Sequence, residues 1–254
     1  MLSKISLLSI ALLFLLFACN KAPDTSVGKS DPEAVQIAED LIEACGGQAN
    51  WDSTRYITWR NLGGKRRLVW DKWTGNIRVE NMITLVLMNL NTKEGRAWQY
   101  GEEITDPERL QRALEFAYES WAYDSYAVFL PFMLLNEGII LKYLGEGQVN
   151  DRPVDVLQVT FDNVGPTPEA KYHLHIDKES KLLVQWDYYM DVTDQHPRFK
   201  LPWLNYKKYG GLLLSDDRGA KNHPGLAVFD ELPASIFTSP EPVKFDFEDP
   251  AFND

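Results

Sequence analysis

The chain has 254 residues, with 37 acidic against 26 basic side chains and a formal net charge of −11. That balance argues against nucleic acid and against peripheral docking onto anionic lipid heads, because like charges repel across such contacts. Apolar residues make up 44% and aromatics 12%, which excludes a disordered chain and allows a sizeable core.

The first residues carry the sharpest signal. Lys4 gives a small positive start, and residues 5–17 are apolar apart from Ser6 and Ser9. This run is too short for a spanning helix of roughly 20 residues and lies where a secretory signal ends. It closes in Leu16-Phe17-Ala18-Cys19, which resembles a bacterial lipobox; an ordinary signal peptide with a chance cysteine is the alternative. The resemblance implies cleavage before Cys19 and acylation of its thiol. Residues 1–18 are then a lipoprotein signal peptide, residues 19–29 a lipidated polar tether, and residues 30–254 a single domain. Two or three acyl chains make a durable membrane anchor. The expected location is the bacterial cell envelope, at the outer membrane or periplasmic face rather than the inner membrane. With Cys19 acylated, Cys45 has no partner for an intramolecular disulfide, and its place on a helix face reads as a buried small hydrophobe.

A helix is expected over residues 32–45, with Ser30 and Glu33 as a capping box and Gly46-Gly47 as the stop. Val35, Ala38, Leu41, Ile42 and Cys45 share its apolar face. Short runs rich in β-branched and aromatic residues follow at 55–62, 65–72, 76–80, 82–90 and 94–100, separated by turn residues, which predicts an antiparallel meander. The run 82–90 is apolar on both faces and reads as a strand covered from two sides. Thr105 and Glu108 suggest a second capped helix carrying Leu110, Leu114, Ala117 and Trp121 on one face. The apolar segment 123–135, interrupted by Pro131, is expected as a short helix or loop on the concave side of the sheet. Strands resume at 139–144, 155–161, 170–176, 182–189, 201–209 and 211–214, and residues 232–237 suggest a closing helical turn. The expected fold is mainly β (α+β): a curved antiparallel sheet of about ten strands forming an unclosed half-barrel, with helices packed on its concave side.

The segment Leu174-x-Ile176-Asp177-x-x-Ser180, together with the capped first helix, Gly46-Gly47, Trp51 and the interrupted meander, resembles the LolA/LolB lipoprotein-carrier superfamily. That resemblance implies an open half-barrel whose helix-lidded concave side holds acyl chains. It matches no individual ligand-binding residue.

Catalytic motifs are scarce. No nucleophile elbow, zinc-protease helix or phosphate loop is present, so no enzyme and no cofactor are expected. His173 and His175 share a strand face with Asp177, which would begin a zinc site or form a solvated polar face. His196 and His223 each precede a proline in turn-like segments and read as loop residues. The acidic group Glu102, Glu103, Asp106 and Glu108 reads as a loop entering a helix, where negative charge suits the dipole. Gly63-Gly64 ahead of Lys65, Arg66 and Arg67 reads as a hairpin turn beside a solvated basic strand. The aromatics either fill the core or line an apolar pocket, and Trp59, Trp70, Phe129, Phe132 and Leu135 are the candidate walls. Three functions remain open: a lipid-anchored binder of an acyl chain or other hydrophobic ligand, an assembly subunit with a filled core and unknown protein partners, and a metal-dependent enzyme using His173 and His175.

Overall fold

The computed structural model describes residues 30–61, 63–165 and 167–245. The expected signal peptide 1–18, Cys19 and the tether 19–29 lie outside the described residues.

Helix α1 (Pro32–Ala44) buries Ala34, Ala38, Leu41 and Ile42 on one face. The expected capping box is not formed: Asp31 is the N-cap and makes no side-chain cap bond. Instead, Ser30 Oγ accepts from the amide of Leu141 and the Asp31 carboxylate from that of Tyr143, each at 3.0 Å. Both polar side chains therefore fasten the helix to the edge strand of a sheet. Gly46 (φ +111°) ends the helix, and a Cβ there would collide with the carbonyl of Gly211, so the close approach requires glycine. A short helix α2 (Gln48–Ser53), not expected from the sequence, carries Trp51 into the core.

Strands β1 (Tyr56–Asn61), β2 (Arg66–Asp71), β3 (Asn76–Glu80), β4 (Thr84–Asn89), β5 (Gly95–Gln99) and β6 (Glu102–Glu103) form the meander. Helix α3 (Pro107–Phe129) and a 3-10 turn (Leu130–Met133) then lead to β7 (Ile139–Val149), β8 (Arg152–Phe161), β9 (Lys171–Asp177), β10 (Leu183–Tyr189) and β11 (Phe199–Pro202). The chain closes with β12 (Leu204–Tyr209), β13 (Leu212–Asp217), β14 (Ala227–Phe229) and helix α4 (Ser235–Thr238). All pairings are antiparallel. The first sheet has the order β14-β1-β2-β3-β4-β5-β6, the second β11-β10-β9-β8-β7, and β12-β13 is a separate ribbon. Among the described residues none is closed into a barrel. The mainly β, open and curved arrangement with helices is thus present, but its strands divide between two sheets and a ribbon instead of one continuous sheet. The run expected as one strand over 201–209 breaks around Trp203, whose amide donates to Val184 O, and Asn205 takes a left-handed φ of +57°.

Helix α3 starts one residue later than expected, with Asp106 accepting from the Arg109 amide at 2.9 Å. It continues past Trp121 as one helix of 23 residues, because Pro131 falls in the first turn of the 3-10 segment, where its missing N–H breaks no bond. It packs against β3, β4, β5 and β13, while α4 packs against β3 and β4. Strand β4 is accordingly covered from two sides, as its sequence indicates. The basic strand after Gly64 is not solvated: Arg67 is buried and donates to Glu80 and to the carbonyl of Val243. Arg78, also buried, donates to the carbonyls of Ile236, Ser239 and Glu241, so two arginines bind the C-terminal segment to the outside of the first sheet. Cys45 is buried, and burial pushes its thiol up to about 12, the behaviour of a small core hydrophobe.

Candidate functional site

Strand alternation sets the inner face of the second sheet. In β9, Tyr172, Leu174 and Ile176 point one way and His173 and His175 the other; in β10 the inward set includes Trp186 and Tyr188. Register places Tyr172 opposite Tyr188, and Tyr188 opposite Phe199 of β11. The rings of Tyr172 and Tyr188 lie 5.2 Å apart and those of Tyr188 and Phe199 stack at 4.9 Å. Phe161 of β8 meets Tyr172 edge-on at 5.9 Å, which extends the row across four strands. Trp186 stacks on Tyr172 at 5.4 Å.

The C-terminal half of α3 faces this aromatic row with Tyr123, Tyr126 and Ala127, and between the two lies a cleft of about 300 Å³. Ala127 is small and Tyr126 touches only the end of the row, ring to ring with Phe161 at 6.0 Å. The helix therefore stands off the sheet instead of filling it. Asn61, Asp124, Arg218, Lys221 and His223 add polar and charged groups to the lining.

The polar groups of this lining are tied in distinct ways. Asp124 is buried and accepts two bonds of 2.7 Å from the guanidinium of Arg66 and one from Asn61. Burial raises its pKa above the usual carboxylate value, although Arg66 and Asn61 pull the other way. His223 is buried with Nδ1 3.3 Å from the carbonyl of Arg60, and burial together with the nearby Arg218 charge pulls its pKa down to about 4. It is neutral at pH 7.

The five sequence candidates fall elsewhere. Trp59, Trp70, Phe129 and Phe132 converge under α3 on the first sheet, with Trp51: Trp59 meets Phe129 edge-on at 5.0 Å, and Trp51 stacks on Phe132 at 4.7 Å. Trp59, Phe129 and Phe132 are almost wholly buried in this packed cluster, whereas Leu135, just after the 3-10 turn, is exposed. None of the five lines the aromatic cleft. The cleft residues had a sequence signal, the clean alternation of residues 182–189 and of Tyr172, Leu174 and Ile176, but that alternation shows a buried face and not whether it is filled.

His173 and His175 lie on the opposite face of the second sheet. His175 Nε2 is 3.3 Å from Asp187 Oδ2, Lys200 pairs with the same oxygen at 3.2 Å, and His173 Nδ1 is 3.0 Å from the Tyr189 hydroxyl. Burial works against the Asp187 carboxylate, but bonding and charge from His175 hold its pKa below the usual value. Burial and the Lys171 charge lower that of His173. Among the described residues no three His, Cys, Asp or Glu side chains converge as a metal would require. The acidic group is also structural: Glu103 pairs with Arg96 and Asp106 caps α3. No described helix is long and apolar enough to cross a membrane.

Neither a protein-family model nor a curated protein matches the chain. Solved structures do. A DUF1329 family protein from Desulfovibrio piger is 14% identical, with 82% of this chain and 98% of that one covered and a TM-score of 0.45. A LolA superfamily protein from Nitrosomonas europaea is 12% identical, with 81% and 97% covered and a TM-score of 0.37.

Proposed function

We propose that this protein is a lipid-anchored, non-catalytic binder that holds a hydrophobic ligand, an acyl chain or lipid, in the cleft between α3 and the second sheet. The observation that carries this is the row Phe161, Tyr172, Tyr188 and Phe199 facing an open volume of about 300 Å³. A wall of aromatics with a few polar groups at its edge suits an apolar guest. The ionisable lining favours binding over catalysis: Asp124 is locked to Arg66, and His223 is held neutral against a carbonyl. Anchoring through acylated Cys19, and with it residence in the cell envelope of a single domain over residues 30–254, rests on the lipobox resemblance of residues 16–19.

A second reading has its own observation. Met82 is 89% exposed and Tyr100 76%, and the Tyr100 amide donates to Ile83 O, so two hairpin tips form an exposed apolar patch. Such a patch favours an assembly role with a protein partner.

Native mass spectrometry of the protein purified from a bacterial host without detergent tests the first reading. An extra mass of a few hundred daltons, removed by organic solvent, is expected. A bare mass that stays bare after incubation with fatty acids and phospholipids overturns it in favour of the assembly reading.

A further inference from the structure

Arg218 is 1% exposed, yet it lines the cleft. Nη1 donates to Ser215 Oγ at 2.6 Å and to Asp217 O at 2.9 Å. Nη2 donates to Ala127 O at 2.7 Å and to Ser215 O at 3.2 Å. Every acceptor is neutral. The two neighbouring carboxylates are turned elsewhere: Asp216 takes Asn205, Lys207 and Tyr209, and Asp217 takes the Gly219 amide. Among the described residues no carboxylate forms an ion pair with Arg218, and its Nε–H has no hydrogen-bond partner. Asp216 and Asp217 favour the Arg218 charge from nearby without pairing with it, and a buried charge with no direct ionic partner is costly unless something else balances it.

The rest of the lining points to the same missing chemistry. Trp186 Nε1, the other buried polar atom of the cleft wall without a partner, is also a donor. Arg218 lies 3.5 Å over the ring of Trp203, which meets Trp186 edge-on at 5.9 Å, so both donors belong to one end of the aromatic surface. Lys221 is exposed beside it, 5.2 Å over Phe199. Asp124 brings no net charge because Arg66 neutralises it. A chain of net charge −11 therefore keeps two basic side chains and two unpartnered N–H donors at one end of a largely aromatic cleft.

We infer that the ligand of this cleft is a single-chain amphiphile with an anionic head, a carboxylate or phosphate, whose oxygens are bound at Arg218 and Lys221 while its chain lies on the aromatic row. This rests on the hydrophobic-ligand reading above and narrows it. A volume of about 300 Å³ holds about ten groups the size of water, and so about ten chain carbons. One short or partly buried chain fits; two chains side by side do not.

Calorimetric titration of the protein with four probes of one chain length, all below micelle-forming concentrations, tests the inference. Decanoate, decyl phosphate, 1-decanol and decyltrimethylammonium differ only at the head. Decanoate or decyl phosphate is expected to bind at least about tenfold more tightly than 1-decanol, the factor a charged hydrogen bond supplies, and the cation weakest. The tighter of the two anions identifies the head as carboxylate or phosphate. Arg218→Gln is expected to bring the anion-to-alcohol ratio close to one, and Lys221→Gln, at the exposed rim, to lower it by a smaller factor. Should Arg218→Gln fail to fold, the head order in the unaltered protein and the Lys221→Gln ratio still decide. If 1-decanol binds as tightly as both anions, or the cation binds best, the anionic head is refuted while hydrophobic binding stands. If no probe binds and none does at longer chain length, the hydrophobic-ligand reading itself falls.

Discussion

The two inner faces flanking α3 are equally rich in aromatic side chains and are used in opposite ways. On the first sheet, Trp59 and Trp70 are met by Trp121 and Phe129 from the helix side and by Trp51 from α2, with rings edge to face at 5.0–6.1 Å. On the second sheet, Tyr172 meets Tyr188 at a tilt and Tyr188 stacks on Phe199, while α3 offers Ala127 and the flanking Tyr123 and Tyr126. Large side chains that meet from both layers make a core; where the helix sets a small residue, Ala127, between flanking rings, a cleft remains. The residue types of the sheet are nearly the same in both cases, so the phase of the helix decides which face is filled.

The largest effect expected from this contrast is on the filled side. Phe129 is fully buried and touches Trp51, Trp59 and Trp70, so Phe129→Ala is expected to cost about 3–5 kcal/mol of stability, read as a lower urea midpoint. A loss below about 1 kcal/mol would mean that this side, too, is loosely packed. At the cleft end, His223 should report acid. Its pKa falls from 6.5 to about 4 on burial, so the unfolded chain takes up the proton first and stability is lost as pH falls from about 6.5 to 4. The full window corresponds to roughly 3 kcal/mol, with His173 adding in the same direction and Asp124, whose pKa is raised, opposing it. Comparing urea midpoints of the unaltered protein and His223→Gln between pH 7.5 and 4.5 checks this, and parallel curves for the two would refute it.

Much of the strand order was legible because alternation and turn chemistry are local. The Leu174-x-Ile176-Asp177-x-x-Ser180 hairpin shows why: Asp177 Oδ1 accepts from the Glu179 and Ser180 amides and from the Ser180 hydroxyl, so the motif is the turn itself. Asp71 does the same for Trp73 and Thr74 in the earlier hairpin. Ser30 and Glu33 misled because a capping pattern cannot reveal a competing sheet edge, and the amides of Leu141 and Tyr143 were that edge. Residues 123–135 misled differently. Their uniform apolarity hides the helical phase, and that phase turns Phe129 to the first sheet and Tyr126 to the second. The aromatics Trp59, Trp70, Phe129 and Phe132 were thus recognisable as inward-facing, but the choice between packed cluster and cleft wall depends on contacts between layers distant in sequence. Arg218 was illegible for the same reason: its burial follows from Trp203 and from the carbonyl of Ala127, 91 residues away.

The smallest stability effect should accompany the largest binding effect. Tyr188 is half-buried, pairs in register with Tyr172 and Phe199, and presents the middle of the row to the cleft. Truncation there removes ring contacts along the row, but the space left behind opens onto the existing cleft and not into a sealed cavity. Tyr188→Ala is therefore expected to cost about 1 kcal/mol, well under the loss at Phe129, because the cavity component of a core truncation is largely missing. The same change removes the central stacking surface for an apolar guest, so decanoate affinity should fall about tenfold. Urea melts and titrations on the one variant separate the two quantities. A stability loss equal to that of Phe129→Ala, with ligand affinity unchanged, would show that the second sheet's aromatics are core and that the guest sits elsewhere. A small stability loss with a large affinity loss is what a wall built from one layer alone should give.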